Sequence, residues 1–303
     1  MRIFVTGATG FIGSAIVSEL VNAGHQVLGL ARSDEGAASL AAAGADVLRG
    51  SLEDLDSLRN GAANSDGAIH TAFIHDFLNY AAAAETDRRA IETLGTAFAG
   101  SDRPFVVTSG TLLLRRESSL ATEKDEADPN FPRKSEAVGL ALASHGVRVS
   151  LVRLPPSVHG DGDHGFVPRV FAIAREKGIS AYVGDGLNHW PAVNRLDAAR
   201  LYRLAMEKGS AGSRYHGVAD EGVPFRDIAQ VIGRHLNVPV VSKSPEEAAD
   251  HFGWISHFVS IDCPASSAQT QDQLGWRPTH PSLMADIGRR GYFEVPTDAA
   301  TAA

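Results

Sequence analysis

The first half of the chain alternates between short, almost wholly apolar runs and longer segments in which apolar residues recur every three or four positions. IFVTG (3–7) is a β-rich run. FIGSAIVSELVNAG (11–24) carries Ile12, Ile16, Leu20 and Val21 at helical spacing, with Gly24 where a C-terminal cap belongs. QVLGLAR (26–32), DVLRG (46–50), GAIHTAF (67–73), PFVVTSG (104–110) and RVSLVRL (148–154) read as further strands. Helical segments separate them at 35–44, at 52–60, at roughly 77–99, and from NFPRKSEAVGL (130–140) to about 144. Repeated β–α–β order predicts an α/β fold, a doubly wound parallel sheet with helices on both faces.

After Leu154 the rhythm changes. PPSVHGDGDHG (155–165) is turn-rich, a helix follows around 166–177, and SAYVG is a short strand. DAARLYRLAMEKG (197–209) and RYHGVAD (214–220) predict one more helix and a strand that returns to the main sheet. The remaining segments read as mainly helical. The expected organisation is a sheet domain of residues 1–154 plus about 192–220. A smaller, mainly helical substrate-binding region takes about 155–191 plus 221–295, and 296–303 form a frayed tail.

Composition narrows the class. With 44% hydrophobic and 21% charged residues, the 303-residue chain has the make-up of a soluble globular protein with a sizeable core. The formal net charge of −8, with no run of Lys or Arg, excludes the electrostatic footprint of a nucleic-acid binder or a polybasic membrane anchor. No apolar stretch reaches membrane-spanning length. The single cysteine, Cys263, rules out an internal disulfide framework and fits a reducing compartment. The opening MRIFVTGATG enters a strand at once, leaving no room for a signal peptide, so a cytoplasmic location is expected.

TGATGFIG (6–13) falls between the first strand and the first helix. Gly7 permits a tight turn, Gly10 lets the backbone approach a pyrophosphate, and Gly13 lets the helix pack closely on the sheet. The N–H groups at the helix start, around Phe11, Ile12 and Gly13, then favour phosphate charge, with Thr9 in the turn. An ordinary Gly-rich βα turn is the bland alternative, but the flanking elements point to a Rossmann-type dinucleotide site.

TGATGFIG strongly resembles the fingerprint of the extended short-chain dehydrogenase/reductases, the NAD-dependent epimerase/dehydratase-like group. GAIHTAF is similar to their fourth-strand "D-x-V-x-H-x-A" pattern, LVRLPPSVHG to their "R-x-x-x-V-Y-G" segment and NRLDAA (194–199) to "H-V-D-D". PFVVTSG and LGWRP (274–278) match further family segments. The likeness runs through nearly the whole chain. It implies a Rossmann nucleotide domain, a C-terminal substrate region and dimerisation through two helices of the nucleotide domain. It also implies cofactor contacts at Leu52, at Thr71, Ala72 and Phe73, and at Pro155 and Val158.

The adenosine ribose selector of such a site stands at the end of the second strand. This chain reads GLARSDE, with Arg32 and Ser33 at the selecting positions. A guanidinium there can fork onto a 2′-phosphate, which favours NADP (NADPH) over NAD; a solvent-facing arginine is the alternative.

The resemblance also exposes a gap. The family carries a Ser or Thr after the fifth strand and a Tyr-x-x-x-Lys on the next helix, where the tyrosine passes a proton to a carbonyl and the lysine lowers its pKa. Laid on FPRKSEA, Pro132 falls at the tyrosine and Glu136 at the lysine, while Ser135 matches the serine before it. The nearest tyrosines in sequence are Tyr80 and Tyr182. The chain is thus similar to an atypical member that keeps the nucleotide site and lacks the usual acid.

Replacement groups have competing readings. Ser109 and Thr111 flank the serine position, which Gly110 occupies; a hydroxyl there bonds a substrate carbonyl or simply closes a strand-end turn. Lys134 reaches the nicotinamide ribose or lies in solvent. His75 and Asp76, just after the fourth strand, form a proton-donating pair or begin the next helix. Asp87 lies where the resembling family often has an asparagine, but reads as a helix-surface carboxylate. His159, Asp161, Asp163 and His164 fit neither an EF-hand nor a helical zinc pattern, so no metal is expected. His159 and His164 instead become substrate contacts, with Phe166 and Trp190 as apolar walls or as core. The leading expectation is an NADP-dependent oxidoreductase acting on a small carbonyl, alcohol, enone or imine compound. A cofactor-binding sensor, or a lyase or epimerase that uses bound cofactor, remain alternatives.

Overall fold

The computed structural model describes residues 1–76, 79–115 and 119–293. Among these, β1 (Arg2–Thr6), β2 (Gln26–Ala31), β3 (Asp46–Arg49), β4 (Gly67–His70), β5 (Phe105–Gly110), β6 (Val149–Leu154) and β10 (Arg214–His216) form one seven-stranded sheet. The order is β10-β6-β5-β4-β1-β2-β3, with every neighbouring pair parallel. The direction of winding reverses between β1 and β4, which opens the crevice where open α/β sheets bind their ligands.

The apolar runs are continuous because each strand serves two cores. In β1, Ile3 and Val5 join one core while Phe4 joins the other. In β5, Val106 faces the first, and Phe105 and Val107 the second, as a period of two requires. The first core is closed by α1 (Phe11–Asn22) and α7 (Arg195–Lys208), with Leu40 of α2 (Asp34–Ala42). The second is closed by α3 (Leu55–Ala63), α4 (Tyr80–Phe98) and α5 (Ser135–Ser144).

A third core lies in the later segments. β7 (Ser157–His159), β9 (His189–Asn194) and β11 (Asp220–Pro224) form a three-stranded sheet, and β8 (Ser180–Val183) pairs with β12 (Val240–Lys243). Around them lie α6 (Phe166–Lys177), α8 (Phe225–Leu236), α9 (Pro245–Phe252), α10 (Ser256–Val259) and α12 (Leu283–Ile287), while Leu274 of α11 (Ala268–Leu274) joins the first core. Trp190 is fully buried in the third core, its ring 5.0 Å from Phe225 and 5.8 Å from Phe166, both edge-on. The sequence reading missed β7, β9, β11 and β12. Segments such as HWPAVN and DEGVP are short and Pro-containing, and they become strands only by pairing with distant partners. The expected start of the long helix at 77 and the tail at 296–303 lie outside the described residues; α4 is described from Tyr80.

At the β6–β10 edge the sheet encloses charge. Arg153 is fully buried and grips Glu136 through Nε at 2.9 Å and a terminal nitrogen at 2.5 Å. Its other terminal nitrogen reaches His216 Nε2 at 3.1 Å, while His216 Nδ1 meets the Ser266 carbonyl at 2.7 Å. Nε2 is therefore an acceptor and Nδ1 the donor, which is neutral imidazole. Burial, reinforced by Arg153, pushes the His216 pKa down to about 3.

Because that folded-state value lies below the unfolded one, the stabilisation is complete above about pH 6.5 and is lost as pH falls toward the folded pKa. Urea midpoints measured down the pH scale should decline over this window. His216→Gln, which keeps one donor and one acceptor, should flatten part of that decline.

Candidate active site

The glycine turn leaves no room for side chains. Gly7 has φ +70°, and a Cβ there would come within 2.7 Å of the Ala72 nitrogen and 2.8 Å of Thr71 Oγ1. A Cβ on Gly13 would fall 1.9 Å from the Gly7 carbonyl oxygen. Gly10 donates its N–H to that same oxygen at 3.0 Å and leads into α1. No side chain caps α1 and no acid lies in its first turn. The first N–H groups of α1, near Phe11, Ile12 and Gly13, thus face the crevice without a resident carboxylate. That donor set and the close-packed turn fit a dinucleotide pyrophosphate.

Arg195 and His164 lie over the start of α1. The Arg195 guanidinium carbon is 5.0 Å from the centre of the Phe11 ring, and His164 meets the same ring edge-on at 5.6 Å. His164 therefore stands by the glycine turn. Arg195 was missed because NRLDAA drew notice only as a family segment.

At the end of β2, Arg32 is exposed and Ser33 spends its hydroxyl accepting from the Gly36 N–H at 3.1 Å. Arg49, the last residue of β3, donates to the Ser33 carbonyl and to the Arg32 carbonyl at 3.2 Å, and pairs with Asp34 at 3.0 Å. Two guanidiniums thus border this corner. DVLRG read simply as a strand, and nothing local signalled that Arg49 would fold back on the β2 end. Thr9 packs toward Gly36, Leu52 is buried in the second core, Pro155 is buried, and half-buried Val158 packs on the first core.

Between β4, α4 and α5 runs a buried polar chain that the sequence reading did not find. Asp87 is fully buried, not the surface carboxylate expected. It accepts from His70 Nε2 at 3.1 Å and from the Ser135 hydroxyl at 2.5 Å, with Arg133 Nε 3.6 Å away. Burial opposes its charge, but His70, Arg133 and Ser135 outweigh that and hold the carboxyl below the usual range. With Asp87 ionised, His70 Nε2 carries hydrogen, and Nδ1 accepts from the Thr6 hydroxyl at 2.8 Å. Arg133 also donates to Ser135 Oγ at 2.8 Å and to the Thr108 carbonyl at 3.3 Å. The available signal was helical spacing: Ala84 and Asp87 repeat on the buried face of α4.

Arg133 stacks over Phe73, its guanidinium carbon 4.2 Å from the ring centre. The His75 ring is 5.4 Å from Phe73, edge-on, and the Tyr80 ring is 5.6 Å from it and 6.0 Å from Phe131. A tyrosine thus does stand near this position, brought from α4 rather than α5. Burial lowers the His75 pKa, helped by Arg133 and His164. Burial raises that of Tyr80, which Arg133 works to lower and Asp87 to raise. Thr71 donates to the Thr6 carbonyl at 2.8 Å, joining the Phe73 segment to the glycine turn.

The remaining candidates are dispersed. Ser109 is buried and donates to Glu136 at 3.4 Å; Thr111 is buried, and its hydroxyl has no partner among the described residues. Asp76 accepts from the Asn79 N–H at 3.1 Å and side chain at 2.8 Å, at the start of α4. Lys134 donates to the Pro129 carbonyl at 2.5 Å. His159 is fully buried against Asp286, Nδ1 to carboxylate at 2.7 Å, so it and Trp190 are core residues here and present no surface to a ligand. Phe166 is half-buried beside Trp254 and Phe258, ring centres 6.3 and 5.1 Å away. Asp161 pairs with Arg289 at 2.8 Å, and Asp163 accepts from Tyr292 at 2.7 Å. Among the described residues no group of three His, Cys, Asp or Glu could hold a metal ion, and no helix is long and apolar enough to cross a membrane.

Comparison with known proteins agrees with this geometry. A family profile described as NAD(P)H-binding matches residues 7–152. An uncharacterized protein of Schizosaccharomyces pombe is 54% identical over 295 residues, 97% of this chain and 100% of its own. A 2-alkyl-3-oxoalkanoate reductase of Stenotrophomonas maltophilia is 29% identical, covering 80% of this chain and 78% of its own. Among solved structures, a dTDP-glucose 4,6-dehydratase from Streptomyces venezuelae with NAD and TYD bound superposes with a TM-score of 0.78 at 21% identity, over 97% of this chain and 96% of that one. The chain belongs to the extended short-chain dehydrogenase/reductases, as an atypical NAD(P)-binding member without the usual Tyr-x-x-x-Lys.

Proposed function

We propose that the protein is an NADPH-dependent reductase of a small carbonyl, enone or imine compound, working with a proton donor other than the family's tyrosine. The observation that carries this reading is the close-packed glycine turn leading into the uncapped start of α1, at the same end of the sheet as the Arg133–Phe73 cluster beyond β4. Bound there, the reduced nicotinamide supplies hydride. The chain's own part is to orient the electrophilic carbon, exclude water and handle one proton. Residues 1–154 with about 192–220 form the nucleotide domain in this reading, and the third core carries the substrate wall at Phe166. Ser109 is engaged with Glu136, and the Thr111 hydroxyl is buried without a partner among the described residues, so neither presents a hydroxyl to a substrate here. The oxo-acid reductase among the relatives supports a ketone substrate class.

Arg32 and Arg49 together support NADPH over NADH, since a 2′-phosphate between two guanidiniums gains charge-assisted hydrogen bonds. Such bonds are worth about 1.5–3 kcal/mol each, so calorimetry should find NADPH bound at least about tenfold more tightly than NADH. Arg32→Ala with Arg49→Ala should erase most of that difference. Equal affinities in the wild type would remove the arginines as selectors, and binding of neither nucleotide would refute the reading. Tight NADPH binding without reduction of any carbonyl, enone or imine would favour a sensor.

The lysine cannot simply be restored. Glu136 is committed to Arg153 and, at 3.1 Å, to Arg214. Glu136→Lys would set a third cation among them, and breaking a buried pair in this way costs about 3–5 kcal/mol. Denaturant unfolding should show that loss, with no gain in activity.

A further inference from the structure

We propose that the Tyr80 hydroxyl is the proton donor that α5 lacks, and that Arg133 is the cation that tunes it. This rests on the reductase reading and names the acid within it.

The argument begins with position. Ala72 lies against Gly7 of the nucleotide turn, and Phe73 is the next residue, so the chain passes from the pyrophosphate cradle to the Phe73 ring in one step. Around that ring sit the Tyr80 phenol at 5.6 Å, the Arg133 guanidinium at 4.2 Å and His75 at 5.4 Å. Tyr80 opens α4 beyond β4, at the end of the sheet where the glycine turn also lies. Tyr80, Ala84 and Asp87 recur at helical spacing, so the helix face that buries Asp87 also carries the phenol toward Arg133.

Chemistry then separates the candidates. Asp76 is engaged with Asn79, and Ser109 with Glu136. His75 is a poor acid near neutral pH, because burial, Arg133 and His164 all favour its neutral form. Burial raises the Tyr80 pKa and keeps the phenol protonated at that pH; Arg133 opposes burial by stabilising the phenolate, and Asp87 adds to the effect of burial. Arg133 is held for this by Ser135, the Thr108 carbonyl and Asp87. The family places a cation beside its tyrosine by means of lysine; here the two groups come from different elements.

The step balances. As hydride from the reduced cofactor adds to the carbonyl carbon, the π pair of the C=O bond moves to oxygen. That oxygen takes the Tyr80 proton, giving the alcohol and the oxidised cofactor. The O–H bond of Tyr80 breaks, and the phenolate beside Arg133 recovers a proton from solvent.

Among the described residues, Arg133 ahead of α5 and Asp87 on α4 act on the phenol, and His75 on the β4–α4 connection meets the same Phe73 ring, with His164 beyond His75. The first test needs no cofactor. Ultraviolet titration of phenolate formation in the wild type minus that in Tyr80→Phe isolates one of the five tyrosines. Arg133→Gln should move this titration to higher pH, and Arg133→Lys should leave it near the wild-type position. The second test follows reduction of a 2-alkyl-3-oxo ester by NADPH. Tyr80→Phe should lose about 100-fold or more in kcat while NADPH affinity holds. Arg133→Gln should shift the alkaline limb of the pH profile in step with the titration. A Tyr80→Phe protein that turns over like the wild type, or a titration unmoved in Arg133→Gln, would overturn the proposal. Failure of the wild type to bind NADPH would instead refute the reductase reading, and the titration would still decide whether Arg133 governs Tyr80.

Discussion

The candidate site depends on one buried carboxylate. Asp87 has no contact with water, and it is held by a histidine from β4, a serine from the start of α5 and the nearby charge of Arg133. A charge so placed is stable only while its partners remain, so it fixes the relative positions of the three elements that bring them. His70 passes the constraint to Thr6, the last residue of β1, and Gly7 follows directly. Arg133 passes it to Phe73. The nucleotide turn and the aromatic cluster beyond β4 are therefore two ends of one hydrogen-bonded chain.

A second centre of buried charge occupies the position where the family keeps its lysine. Glu136 stands at the lysine position, but its carboxylate is turned into the β6–β10 edge with Arg153 and Arg214. Pro132 leaves no phenol at the tyrosine position. The start of α5 thus carries the charge pattern in inverse: a carboxylate where the cation was, and a guanidinium three residues before it. Cation and aromatic side chains meet near β4, where Arg133 and Tyr80 both lie against Phe73.

The parallel sheet, its helices and the glycine turn were legible in the sequence because each is local: apolar runs, 3.6-residue spacing and three glycines between strand and helix. The C-terminal strands were not, since their short segments become strands only through distant partners. The same division holds in the site. Gly7, Gly10, Gly13 and Arg32 could be named from their neighbours in the chain. Arg49 could not, because its role depends on β3 lying beside β2. Asp87 looked like one more polar residue on an Ala-rich helix, and Tyr80 like a tyrosine too far from α5. His159 drew notice as a substrate contact in a turn-rich loop and Trp190 as an apolar wall or core, and both pack inside, one against Asp286 and the other against Phe225.

The most direct measurement is a crystal structure of the protein with NADP⁺ and a ketone-mimicking inhibitor. The account predicts the adenosine phosphate between Arg32 and Arg49, the pyrophosphate on the start of α1, and the nicotinamide ring beside Phe73. It further predicts the inhibitor oxygen within hydrogen-bonding reach of the Tyr80 hydroxyl, and its electrophilic carbon about 3–3.5 Å from the hydride-bearing carbon. A nicotinamide turned away from Phe73, with Tyr80 out of reach of the inhibitor, would contradict it.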